Sequence, residues 1–192
     1  DIIEQKDREI KQRLYFILES IAINTRNIEA TVFLVNRLEI EKDKDILVSI
    51  LLRMGELYEP DHIDVSPIIK LTENKNSHIR RYAFEALTNS EYRVEEFLEA
   101  KLRVNQNNED VAAILWALTF VGTSKSIVTI KKFLKSRKPA INGNASTTLA
   151  FISLRENIPL ESINKELNFS METLMIFESR ISLLTRRPLF IT

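Results

Sequence analysis

His62 and His78 are the first side chains to test for chemistry in this 192-residue chain, because imidazole titrates near neutral pH and serves both as a general base and as a metal ligand. They stand 16 residues apart in predicted turns, and neither has a second ligand at metal spacing, so both read as solvated turn residues. Serine and threonine are plentiful, but any triad would have to enlist one of these two histidines. The chain contains no cysteine, which excludes disulfides, thiolate zinc sites and cysteine nucleophiles. Gly55, Gly122 and Gly143 are isolated, so no glycine-rich loop cradles a phosphate. The adjacent carboxylates Glu95 and Glu96 lie near Lys101 and Arg103 and read as a solvated charged helix face. Nothing here calls for catalysis, a metal, a cofactor or a small-molecule substrate.

Charge offers a different kind of signal. The totals balance at 27 basic and 27 acidic side chains, which argues against a dedicated nucleic-acid binder. The distribution is uneven. Val111 to Arg155 holds Lys125, Lys131, Lys132, Lys135, Arg137, Lys138 and Arg155 with no acid, whereas Glu85 to Asp110 holds seven acids against three basic residues. The array is expected to be electrically bipolar. Lys131, Lys132, Lys135, Arg137 and Lys138 are candidate anion-binding residues, although Lys132 and Lys135 also suit the solvated side of a helix whose inner side is Ile127, Ile130, Phe133 and Leu134.

The elements that would position such groups follow from a recurring phrase. "AFEAL" at Ala83 is echoed by "ILESI" at Ile17, "ILLRM" at Ile50, "ILWAL" at Ile114 and "AFISL" at Ala150, at intervals of 33, 33, 31 and 36 residues. Positions one, two and five of the phrase share one helical face. Ser77, Asn108 and Asn144 stand six residues before it and Asp43 seven before Ile50, all suited to cap a helix N-terminus. Shorter amphipathic segments alternate with these helices, at 27–40, 65–74, 91–104, 126–137 and 159–168, and a last helix spans 171–187. Ser66-Pro67 reads as a cap followed by proline in the first turn, and Asn157 to Pro159 can open a helix in the same way. "EPDHIDVSP" and "RKPAINGNAS" read as turns, with Asn142-Gly143 inside the second. One amphipathic hairpin cannot bury its own apolar faces, so stacked hairpins must share a core. The fold predicted is all-α, a right-handed α-solenoid of five to six helix pairs.

The stretch "SHIRRYAFEALTNS", with Ile79, Arg80, Ala83, Ala86 and Leu87, resembles the second helix of bacterial HEAT-like repeats, and "DVAAILWALTFVG" follows that pattern more loosely. The resemblance covers about Asp43 to Glu156, within a single array over 1–192 whose flanks, 1–42 and 157–192, read as degenerate caps. It implies a scaffold fold that serves many unrelated partners.

The middle position of the phrase points about 200° away from its first position. Its occupants are Glu19, Leu52, Glu85, Trp116 and Ile152, and Phe120 follows Trp116 by one turn. The resemblance places this helix on the concave side of an array. Leu52, Trp116, Phe120 and Ile152 are therefore the expected partner-binding ridge, because buried tryptophan anchors dominate interface energies. The function expected is a non-enzymatic module that binds a protein or peptide on its concave face. The alternatives are a nucleic-acid binder that uses the basic 111–155 zone, as HEAT-like DNA-repair glycosylases use a basic groove, and a bacterial immunity or antitoxin-like inhibitor of a toxin. The glycosylase comparison lacks an acid after Trp116, where Phe120 stands. The charged amino terminus is neither a signal nor a transit peptide, and the longest nearly apolar run, Val111 to Gly122, is too short for a bilayer. These features set cytoplasmic as the expected location, without membrane contact, and a start at Asp1 fits a piece of a longer protein.

Overall fold

Short polar side chains open most of the helices. In the computed structural model, which describes residues 7–54, 63–90, 94–159 and 162, all regular elements are helical, as predicted. His62, Gly55, the closing helix 171–187, and 160–168 apart from Ser162 lie outside the described residues. The chain falls into two compact units, Asp1–Glu91 and Tyr92–Thr192.

The first unit contains α1 (Arg8–Thr25), α2 (Ile28–Arg37), α3 (Lys44–Met54), α4 (Ser66–Leu71) and α5 (Ser77–Ala86). Asp7 caps α1 by accepting from the Ile10 amide, and Asn27 caps α2 by accepting from Ala30. Arg26, left-handed at φ 51°, turns the chain between them. α1 packs on α3 and α3 on α5, while α2 packs on α1 and α4, so the helices form two layers. Tyr15, Leu34, Ile46, Ile50, Leu51, Met54, Ile68, Ile79 and Phe84 fill the core between them. The second unit repeats the scheme with α6 (Glu95–Val104), α7 (Asn108–Val121), α8 (Ile127–Ile130) and α9 (Pro139–Arg155). α7 packs on α9 and α6 on α8, around Leu98, Ile114, Leu118, Ile130 and Leu149. The segment expected as one helix over 126–137 is the short α8 continued by a 3-10 turn through Lys135, with Ile127, Ile130 and Leu134 inward as predicted. No helix of the described residues is long and apolar enough to cross a membrane.

The caps reveal a repeat sharper than the apolar phrase. Asp43 caps α3, Asn76 caps α5 and Asn107 caps α7. For the last two this is one residue earlier than predicted, because adjacent polar residues compete for the role in "NKNS" and "NQNN". Two residues before each cap, another side chain holds the cap's own amide. Glu41 accepts from Asp43 at 3.0 Å, Asn74 from Asn76 at 2.9 Å, Asn105 from Asn107 at 2.9 Å, and Ser136 from Lys138 at 3.2 Å. These polar pairs recur every 31 to 33 residues, from Glu41 through Asn74 and Asn105 to Ser136. They also correct α9, which starts at Pro139, so Asn142-Gly143 lies inside a helix and not in a turn. Asn144 therefore caps nothing, and its amide donates to the Ala112 carbonyl of α7 at 3.0 Å.

Candidate partner-binding surface

Counted from the caps, the middle position of each repeat lies nine residues into the helix. It is occupied by Phe16, Leu52, Glu85, Trp116 and Thr147, a different set from the predicted one at both ends. Leu52 and Trp116 stand exposed, at 53% and 43%, as does Phe120 at 44%. Ile152 does not join them. It is fully buried, because α9 is rotated relative to the assignment made from "AFISL". The side chain that takes the expected place is Phe151, one turn beyond Thr147 as Phe120 is one turn beyond Trp116. Glu19 is likewise buried, beside Ser49 and Arg53 of α3.

On the second unit these residues form a continuous aromatic row. Trp116 meets Phe120 edge to face with ring centres 5.2 Å apart, and Phe120 lies 6.3 Å from Phe151 across the α7–α9 seam. Arg155, one turn beyond Phe151, donates to the Thr119 carbonyl at 3.0 Å and to that of Gly122. It thus neutralises the carbonyl end of α7 and leaves a cation beside the row. On the first unit, Phe16 and Leu52 are exposed on α1 and α3, and the Arg53 guanidinium covers the Phe16 ring at 5.6 Å.

The supporting scaffold uses carboxylates that the sequence assigned to solvent. Glu96 is exposed, but Glu95 is buried and accepts from the Thr123 amide at 2.6 Å, the Thr123 hydroxyl at 3.0 Å and the Ser126 hydroxyl at 2.6 Å. Glu156 takes the neighbouring Ser124 amide at 2.8 Å. Together they fix the turn that leaves α7, directly behind the aromatic row. Glu99 binds Arg103 and the Thr129 hydroxyl, and Asp110 is buried near Asn105. Much of the acidic pole of the second unit is thus internal, whereas Lys125, Lys132, Lys135, Arg137, Lys138 and Arg155 are exposed. Lys131, also named as a candidate anion-binding residue, is half-buried. His78 is exposed on α5. No group of three or more histidine or acidic residues able to hold a metal occurs among the described residues.

No protein-family model matches the chain, and no curated protein matches it. Among solved structures it is similar to an engineered protein determined by the Northeast Structural Genomics Consortium, with 17% identity and a TM-score of 0.59 over 96% of this chain and 94% of that one. At that identity the likeness concerns the fold alone.

Proposed function

We propose that this chain is a non-enzymatic, HEAT-like helix-pair solenoid of the cytoplasm that binds a protein partner through the aromatic row of α7 and α9. The observation that carries the reading is the contact line Trp116–Phe120–Phe151, large rings left open to solvent on a rigid pair of helices. Positive charge without acids from 111 to 155, with Arg155 beside the row, favours a peptide that offers a bulky apolar side chain next to carboxylates. A nucleic-acid reading rests on exposed Lys132, Lys135, Arg137 and Lys138, which face phosphates as well as they face carboxylates.

A displayed library of random peptides, selected on the intact chain, separates the two. Selected peptides should be rich in aromatic or long aliphatic residues, and they should alter the fluorescence of Trp116, the sole tryptophan. Trp116→Ala should weaken their binding by about 2 kcal/mol, roughly thirtyfold. The same change should cost only about 1–2 kcal/mol of stability, since a half-open ring leaves no closed cavity, against about 3–5 kcal/mol for Leu115→Ala in the core. Selected peptides that bind Trp116→Ala as well as the parent would refute the reading. Tight binding of a single-stranded oligonucleotide with a steep salt dependence would replace it by the nucleic-acid one.

A further inference from the structure

The caps place one buried stripe on each helix of the α1, α3, α5, α7 and α9 series, at three, seven, ten and fourteen residues past the cap. In α9 these positions are Ile141, Ala145, Thr148 and Ile152, none more than 5% exposed. In α1 they are Ile10, Leu14, Ile17 and Ile21, and here the isoleucines are 46%, 54% and 45% exposed. An outermost helix of a stacked array needs a polar outer face to stay soluble. α1 instead keeps the apolar residues that its counterparts bury against a neighbour.

The spacing of the stripe, four, three and four, is a coiled-coil seam, so the shape that fits it is another α-helix. The pattern is also symmetric. A two-fold axis between Tyr15 and Phe16 brings Ile10 against Ile21 and Leu14 against Ile17 of a second, antiparallel α1, which is the layer pairing that antiparallel coiled coils use. Beside the seam, Arg13 then falls next to Ser20 of the second copy and Lys11 next to Leu18. Arg13 is already paired with Glu9 at 2.5 Å and Lys11 with Glu41 at 2.7 Å. No like charges oppose each other, and the contact closes on itself as a two-fold interface requires.

We infer that the chain self-associates through this face, α1 against α1, into an antiparallel dimer. The seam runs about 16 Å along the helix. That is less than the roughly 800 Å² per partner of a standard interface would need, so a dissociation constant of about 10 µM is expected. Sedimentation equilibrium of the intact chain should show the 22.3 kDa monomer giving way to twice that mass as concentration rises. Ile17→Glu should remove the dimer while leaving the circular dichroism melt unchanged, because the residue is open to solvent. Leu14→Lys should do the same, and mixing the two variants should restore association, since the introduced ammonium then faces the introduced carboxylate across the seam. A fold weakened by either change would not recover on mixing. A chain that stays monomeric at all concentrations, or a dimer that survives Ile17→Glu, would overturn the inference. Dimerisation should be untouched by Trp116→Ala, which keeps this result separate from the partner-binding reading.

Discussion

Replacing Glu95 by alanine tests whether a buried carboxylate holds the turn behind the aromatic row. Glu95 is 4% exposed and receives the Thr123 amide, the Thr123 hydroxyl and the Ser126 hydroxyl, two of these contacts at 2.6 Å. Each hydrogen bond to a charged group contributes about 1.5–3 kcal/mol, but the three share one acceptor and are not additive. Thr123 is half-buried, so water can reach its amide in the variant, whereas Ser126 is fully buried and its hydroxyl would lose this acceptor. The net loss expected is about 3 kcal/mol. In a chain of this length that lowers the melting temperature by roughly 6–12 °C. Urea denaturation of Glu95→Ala, Ser126→Ala and the double variant would measure it, with a coupling of about 1–2 kcal/mol between the two sites. Glu95→Gln, which keeps one acceptor oxygen, should fall between alanine and the parent. Stability of Glu95→Ala within about 0.5 kcal/mol of the parent would mean that the clamp contributes no more than an ordinary surface residue.

Two further predictions concern the two units separately. Burial alone would raise the Glu41 carboxyl, but the Lys11 ammonium and the amides of Asp43 and Lys42 outweigh it and hold the group below the usual carboxylate range. Its contribution is therefore complete above the unfolded value of about 4 and is lost as pH falls below it, so the melting temperature should drop between about pH 5 and pH 3. Glu41→Gln should be less stable than the parent at pH 7 and should show a shallower acid decline; parallel curves for the two proteins would contradict this. The glycines of the second unit should respond with opposite signs. Gly143 sits inside α9 with nothing within 4 Å of an added Cβ, so Gly143→Ala should stabilise by about 0.5–1 kcal/mol. At Gly122 the same atom would lie 2.5 Å from the Leu118 carbonyl oxygen, which accepts the Gly122 amide at 2.9 Å, so Gly122→Ala should destabilise by at least about 1–2 kcal/mol. Thermal melts of the two variants check both signs.

Helix type, helix order and repeat length were legible in the sequence because their causes are local. A helix start needs an acceptor within two or three residues of its open amides, and Asp43, Asn27 and the asparagines before α5 and α7 supply one from the chain itself. The apolar period likewise identified Ile50, Ala83 and Ile114 as inward, and Leu52, Trp116 and Phe120 as outward. The rotation of a whole helix is not local. α9 starts at Pro139 and is tied to α7 through Asn144 and the Ala112 carbonyl, which places the repeat at Ala145 and not at Ala150. A slip of five residues turns a helix by about 140°. That is enough to bury Ile152 and to bring Phe151 beside Phe120. The role of Glu95 was hidden for a related reason. Its partners Thr123 and Ser126 lie 28 and 31 residues away, and a carboxylate that ends a distant turn reads the same as one that faces water. Only the packing of α6 and α8 distinguished the two, since burial makes an unpaired carboxylate too costly to persist.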